Sequence, residues 1–303
     1  MDFLRRKLCG LKRNEVSGLA FSAAVGVYLI VALLFALITM KYTAEQRAEA
    51  SYFYVSFFLP VPVVLLSLIF IFGFSPYGAH DYLKFGFKPK NLLPVILIFA
   101  GAFFSLNKIN DVVIALLEKV GYKEPTTTLP AFSVFDYIGC IVIVCVLPAL
   151  FEEALFRGVI LGGIKGGAAS VVVSAALFSL YHMSPAKTAY QLVMGCVFAV
   201  IAIKTDSLMP SAIIHFLNNF AIVTFNYFAP NAFSDKTFVL CSTISGAVVL
   251  AAGFALLFVF NKENKIIVKT EENADNGRIG RFLLFAAVGI FGAAVVWIAG
   301  LVG

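Results

Sequence analysis

Three ionisable side chains stand together in a stretch otherwise made of apolar residues, Phe151-Glu152-Glu153-Ala154-Leu155-Phe156-Arg157. Residues 141–151 before them carry no charge, and neither do residues 158–163 after them. One Asp, Lys or Arg at a bilayer centre costs roughly 2.5–3.5 kcal/mol on insertion scales, so several in one short segment point to a function. On a helix Glu153 and Arg157 are four apart, share a face and can pair. Glu152 points about 100° away. Arg157 then neutralises Glu153 and leaves Glu152 as a carboxylate without a cation, able to serve as a general base. The competing account is a structural ion pair beside a stray carboxylate.

The chain has three histidines. His80 lies in a polar connection and looks ordinary. His182 follows Phe178 by four residues, and His215 precedes Asn219 by four, so each pair shares a helix face. Asn218, three from His215, could take the place of Asn219. A lone histidine on an apolar helix is more often a satisfied core residue. Two on neighbouring helices, beside a free glutamate, favour one shared polar site, because separate burial would strand each of them.

These groups need helices to position them. The chain is 61% hydrophobic and 13% charged, with mean hydropathy +0.94, whereas soluble domains carry about 25% charged residues. The pattern predicts an all-α polytopic membrane bundle of about eight to nine hydrophobic helices. They fall at about 17–40, 52–74, 92–107, 135–163, 168–183, 187–203, 210–228, 237–260 and 282–302. The first is too long for a signal-peptide core. The segment at 135–163 contains Pro148, where a kink or split is expected. A short amphipathic helix is expected between 107 and 137, a turn at 125–130, and a tight turn at Lys165-Gly166-Gly167. Residues 1–303 read as a single integral membrane domain, with 261–281 as a cytoplasmic loop.

The net charge of +6 sits in loops and termini, as the positive-inside rule expects, and needs no nucleic acid. Alternation from a cytoplasmic N-terminus puts the basic connections 75–91, 164–167 and 261–281 on the inside. A multi-pass protein of the plasma membrane is the expectation. The five cysteines, Cys9, Cys140, Cys145, Cys196 and Cys241, form no CxxC pair and indicate neither a disulfide framework nor a thiolate metal site. They read as small buried hydrophobes.

Taken in order, Glu152-Glu153-x-x-x-Arg157, Phe178-x-x-x-His182 and His215-x-x-x-Asn219 resemble the three motifs of the CPBP, or Abi, family, which comprises CAAX prenyl proteases and bacteriocin-processing enzymes. The ordered set over about 135–228 is specific, where a single ExxxR or HxxxN would be weak. The resemblance implies intramembrane proteolysis of a membrane-associated protein or peptide, prenylated or a peptide precursor. It implies that Glu152 activates the attacking water, that His182 assists or binds it, and that His215 and Asn219 hold the oxyanion. Glu153, Arg157 and Phe178 would support the site.

Family members are often called metalloproteases. Glu152, His182 and His215 could supply three zinc ligands with an open fourth position. Against this, the chain has no HExxH, and Asn219 suits an oxyanion better than a metal. A glutamate-activated water without an obligatory metal is the favoured expectation, with zinc left open. The alternatives are a bacteriocin immunity protein that retains the fold, a scaffold, or a transporter, although no second similar half is present. Straight helices would put His182, far from the 164–167 turn, and His215, near the 204–206 loop, at different depths. Tilt or a re-entrant seventh segment would level them.

Overall fold

The computed structural model describes residues 10–106, 108–124, 129–164, 167–264 and 272–302. Long apolar stretches fold as helices because a helix satisfies its own backbone polar groups without water. In chain order these are α1 (Arg13–Thr39), α2 (Ala50–Phe74), α3 (Leu92–Leu106), α4 (Ile109–Glu118), α5 (Val134–Ile164), α6 (Ala168–Tyr181), α7 (Thr188–Thr205), α8 (Met209–Phe228), α9 (Lys236–Phe260) and α10 (Glu272–Val302). No strand occurs among the described residues. The protein is a multi-pass, all-α membrane bundle; among the described residues seven helical stretches are long and apolar enough to cross a membrane, one of them, Pro89–Glu118, running through α3 and α4 together.

Helices α6 and α8 fall outside those seven, and they are the ones that carry or adjoin the histidines. Helix α6 has 14 residues, about 21 Å at 1.5 Å per residue. Helix α8 has 20 residues, but His215, Asn218, Asn219 and Asn226 dilute its hydropathy. Helix α4 supplies the expected short amphipathic element, with Val112 and Leu116 exposed on it. The expected turns at 125–130 and 165–167 fall largely on residues outside those described. The last helix begins at Glu272, so the second half of the 261–281 stretch is helical rather than loop.

Helices α6 and α7 pack side by side, as do α3 with α9 and α1 with α10. A Cβ on Gly101 would collide with the backbone nitrogen of Leu250, so α3 and α9 meet backbone to backbone, as small residues permit between membrane helices. Helix α5 threads the bundle and touches α1, α2, α6, α7 and α8. The basic connections gather at one end. There Arg13 donates to the Asp81 carbonyl, Lys84 pairs with Asp206 at 2.8 Å, and Lys90 pairs with Glu263 at 3.3 Å. Lys204 donates to the Asn264 carbonyl at 2.6 Å, and Arg281 meets Glu15 at 3.4 Å.

Helix α5 does not split at Pro148. It runs through, but its winding changes twice, with π-helical stretches at Ile141–Val146 and Ala154–Leu161 around an α-helical Leu147–Glu153. Pro148 has no N–H to return to the carbonyl four residues earlier, and the wider winding upstream accommodates it. Such π segments often mark functional sites. Side chains from neighbouring helices bond carbonyls along the second stretch: Ser17 donates to Val159 O at 2.8 Å and Ser174 to Phe156 O at 3.2 Å.

The four described cysteines are free. Cys140 and Cys145 are buried, Cys196 is half-buried, and Cys241 is exposed on α9. Cys241 therefore departs from the reading as a buried hydrophobe, because its face of α9 is turned away from the bundle. Cys9 lies outside the described residues.

Candidate active site

Glu153 ends the α-helical turn of α5 and Arg157 lies one turn on, in the π stretch. The expected pair forms: Arg157 Nη1 is 3.0 Å from Glu153 Oε1, with both side chains essentially inaccessible. The guanidinium also donates through Nη2 to the Gly195 carbonyl of α7 at 3.2 Å. A Cβ on Gly195 would stand 2.9 Å from Ala175 Cα, so glycine lets α7 sit against α6. Arg157 stacks over the Phe178 ring at 4.3 Å and the Phe198 ring at 5.0 Å, which stabilises a desolvated cation.

His215 sits between the two glutamates. Its Nδ1 is 3.1 Å from Glu153 Oε1, and its Nε2 faces Glu152 Oε2 at 4.0 Å. A carboxylate only accepts, so Nδ1 carries the hydrogen. Nε2 then presents a lone pair when the ring is neutral and a second donor when it is charged. Phe198 stacks on the imidazole, with centroids 5.0 Å apart and planes 16° apart.

Glu152 itself retains 12% exposure against 1% for Glu153. Its Oε2 is buried with no hydrogen-bond partner. The two adjacent carboxylates are thus differently employed: Glu153 is tied through Oε1 to a cation and an imidazole, whereas Glu152 meets only His215 Nε2, at 4.0 Å, and Oε2 of each is left without a hydrogen-bond partner.

His182 is not inside its helix; it is the C-cap residue of α6. Its Nδ1 bonds the Phe178 carbonyl at 2.8 Å, a contact in which only the nitrogen can donate, so a neutral ring presents its Nε2 lone pair. Phe178 brings the motifs together. Its ring lies 4.9 Å from His182 and 5.9 Å from His215 by centroids, and it also floors Arg157. The depth mismatch expected from straight spanning helices does not arise, because α6 is short and ends within the bundle.

The two asparagines differ in employment. Asn218 is buried and accepts from the Tyr190 hydroxyl at 2.5 Å. It donates to Asn219 Oδ1 at 3.3 Å. Asn219 donates to the Val144 carbonyl at 3.0 Å. Val144 is the residue whose i+4 partner is Pro148, so the proline leaves that carbonyl available to α8. One amide hydrogen of Asn219 remains for other use. His80 is remote from all of this: its side chain is 86% exposed and pairs with Asp81 at 3.2 Å.

The zinc question turns on the donors present. Among the described residues no three His, Cys, Asp or Glu side chains are gathered closely enough to hold one ion.

Residues 134–221 match the family described as Type II CAAX prenyl endopeptidase Rce1-like. The motif-bearing core is thus similar to the Rce1-like family. All three motifs lie inside the matched segment, in agreement with the resemblance they carry. At family level this Rce1-like core supports a CAAX-protease-like membrane endopeptidase. No curated protein and no solved structure matches the chain.

Three residues of the Rce1-like core had no sequence signal of their own. Tyr190, which holds Asn218, is an ordinary aromatic of an apolar run. Phe198 and Gly195 look like generic helix-packing residues, and their roles come from where α7 crosses α5 and α8.

Proposed function

We propose that this protein is an intramembrane endopeptidase that hydrolyses a peptide bond of a membrane-associated, prenylated or peptide-precursor substrate with a water activated by Glu152. The observation that carries this reading is the unengaged Glu152 oxygen beside His215 Nε2, while the neighbouring Glu153 is tied to Arg157 and His215. Glu152 takes a proton from water as the water oxygen bonds to the substrate carbonyl carbon. The tetrahedral oxyanion is met by the spare Asn219 amide hydrogen and by His215 Nε2–H in its charged form. Glu152 then returns the proton to the amide nitrogen, the C–N bond breaks, and an acid and an amine leave. His182, with Nδ1 fixed on the Phe178 carbonyl, offers Nε2 to the water.

The test is cleavage by purified full-length protein in detergent, using quenched peptides ending in farnesylcysteine and three further residues beside unprenylated controls, with product masses measured. Turnover that persists in chelator supports a water activated by glutamate alone. Activity lost in chelator and restored by zinc would reassign Glu152, His182 and His215 as ligands. Asn219→Ala is expected to lower kcat by roughly 10²–10³, the usual loss for one oxyanion donor. An unchanged kcat would remove Asn219 from that role.

The clustering of the basic connections at one end supports a plasma-membrane topology with that end, and the N-terminus, in the cytoplasm. In a background without natural cysteines, Glu263→Cys is expected to resist an impermeant maleimide added to intact cells. Asn231→Cys, in the connection between α8 and α9, is expected to react. The reverse pattern would invert the topology.

A further inference from the structure

We propose that the Tyr181 hydroxyl is a further hydrogen-bond donor to the oxyanion formed beside Glu152, and so a catalytic residue of the reaction above, on which this proposal rests. Tyr181 is the last residue of α6, immediately before His182. It is buried, and its hydroxyl has no hydrogen-bond partner. Its ring is held among aromatic neighbours: Phe156 at 5.5 Å, Tyr28 at 6.1 Å and His182 at 6.4 Å between centroids. Phe156, against which the Tyr181 ring packs, follows Glu152 by four residues on α5, and Glu152 Oε2 is likewise buried and unpartnered.

Buried tyrosine hydroxyls as a rule find a partner. An idle one is destabilising, and a catalytic role is one reason for a protein to keep it. Here an unused donor and an unused acceptor share one water-poor neighbourhood. A donor idle in the resting enzyme and engaged only when charge develops raises turnover without tightening substrate binding. The other donors are partly committed, His215 Nδ1 to Glu153 and one Asn219 amide hydrogen to Val144, so the oxyanion has room for a further one. The phenolic proton stays on Tyr181 throughout; the hydroxyl only donates a hydrogen bond to the oxyanion and is released when the C–N bond breaks.

The test is Tyr181→Phe, which keeps the ring and removes only the hydroxyl, in the purified full-length protein. Thermal unfolding in detergent is expected at the same or a higher temperature, since no protein hydrogen bond is lost. A fall of about 2 °C or more would reveal a structural hydrogen bond and overturn the proposal. On the farnesylated peptide, kcat is expected to drop roughly 10²-fold with KM unchanged; an unchanged kcat overturns it. Glu152→Gln is run in parallel. If that variant turns over normally, the underlying mechanism fails and this proposal with it. If it is inactive while Tyr181→Phe is fully active, only the role of Tyr181 fails.

Discussion

Glu152→Gln is expected to fold and reach the membrane like the parent protein, yet to cleave roughly 10²–10⁴ times more slowly. That is the usual range for loss of a general base, with a larger loss if the same group also positions the water. Glutamine preserves the shape of a side chain whose Oε2 has no hydrogen-bond partner to lose, so stability has little reason to change. His182→Ala and His215→Ala should be of similar severity, and His80→Ala, at an exposed position, serves as the silent control. The measurement is kcat/KM on the quenched peptide, with monodispersity and unfolding temperature read on the same preparations. Turnover near the parent value in Glu152→Gln would remove this residue from the chemistry.

Arg157→Ala is expected to fail earlier, at folding. Its side chain is fully buried against Glu153, the Gly195 carbonyl and two aromatic faces. Truncation leaves the Glu153 charge uncompensated in an apolar interior, a loss on the order of 3–5 kcal/mol, and opens a cavity beside Phe178. Folded yield should fall sharply, and activity with it. The combination Glu153→Gln with Arg157→Met strands no charge and should regain much of that yield, while the introduced amide oxygen can still accept from His215. Size-exclusion profiles and thermal unfolding in detergent decide the matter. An Arg157→Ala protein that is as stable as the parent but inactive would make the arginine a participant in the chemistry instead of a support.

Composition and periodicity alone determined that this chain is a helical membrane bundle, because uninterrupted apolar runs of spanning length have no other low-energy form in lipid. They also determined the Glu153–Arg157 pairing, since i,i+4 proximity on a helix is a local property and survives even the π-helical winding that begins at Ala154. The three motifs were legible as a set because their spacings are helical. Tertiary structure alone decided the rest. That His182 and His215 share Phe178 as a neighbour depended on how the end of the short α6 packs beside α8, which no local pattern encodes. The different employment of Asn218 and Asn219 rests on Tyr190 in another helix and on a carbonyl that Pro148 leaves open. The idle hydroxyl of Tyr181 is visible only once its neighbours have been placed around it. Local spacing specifies which groups share a face; which faces meet is set by the packing of helices distant in sequence, as where Gly195 allows α7 to close on α6 and bring its carbonyl to Arg157.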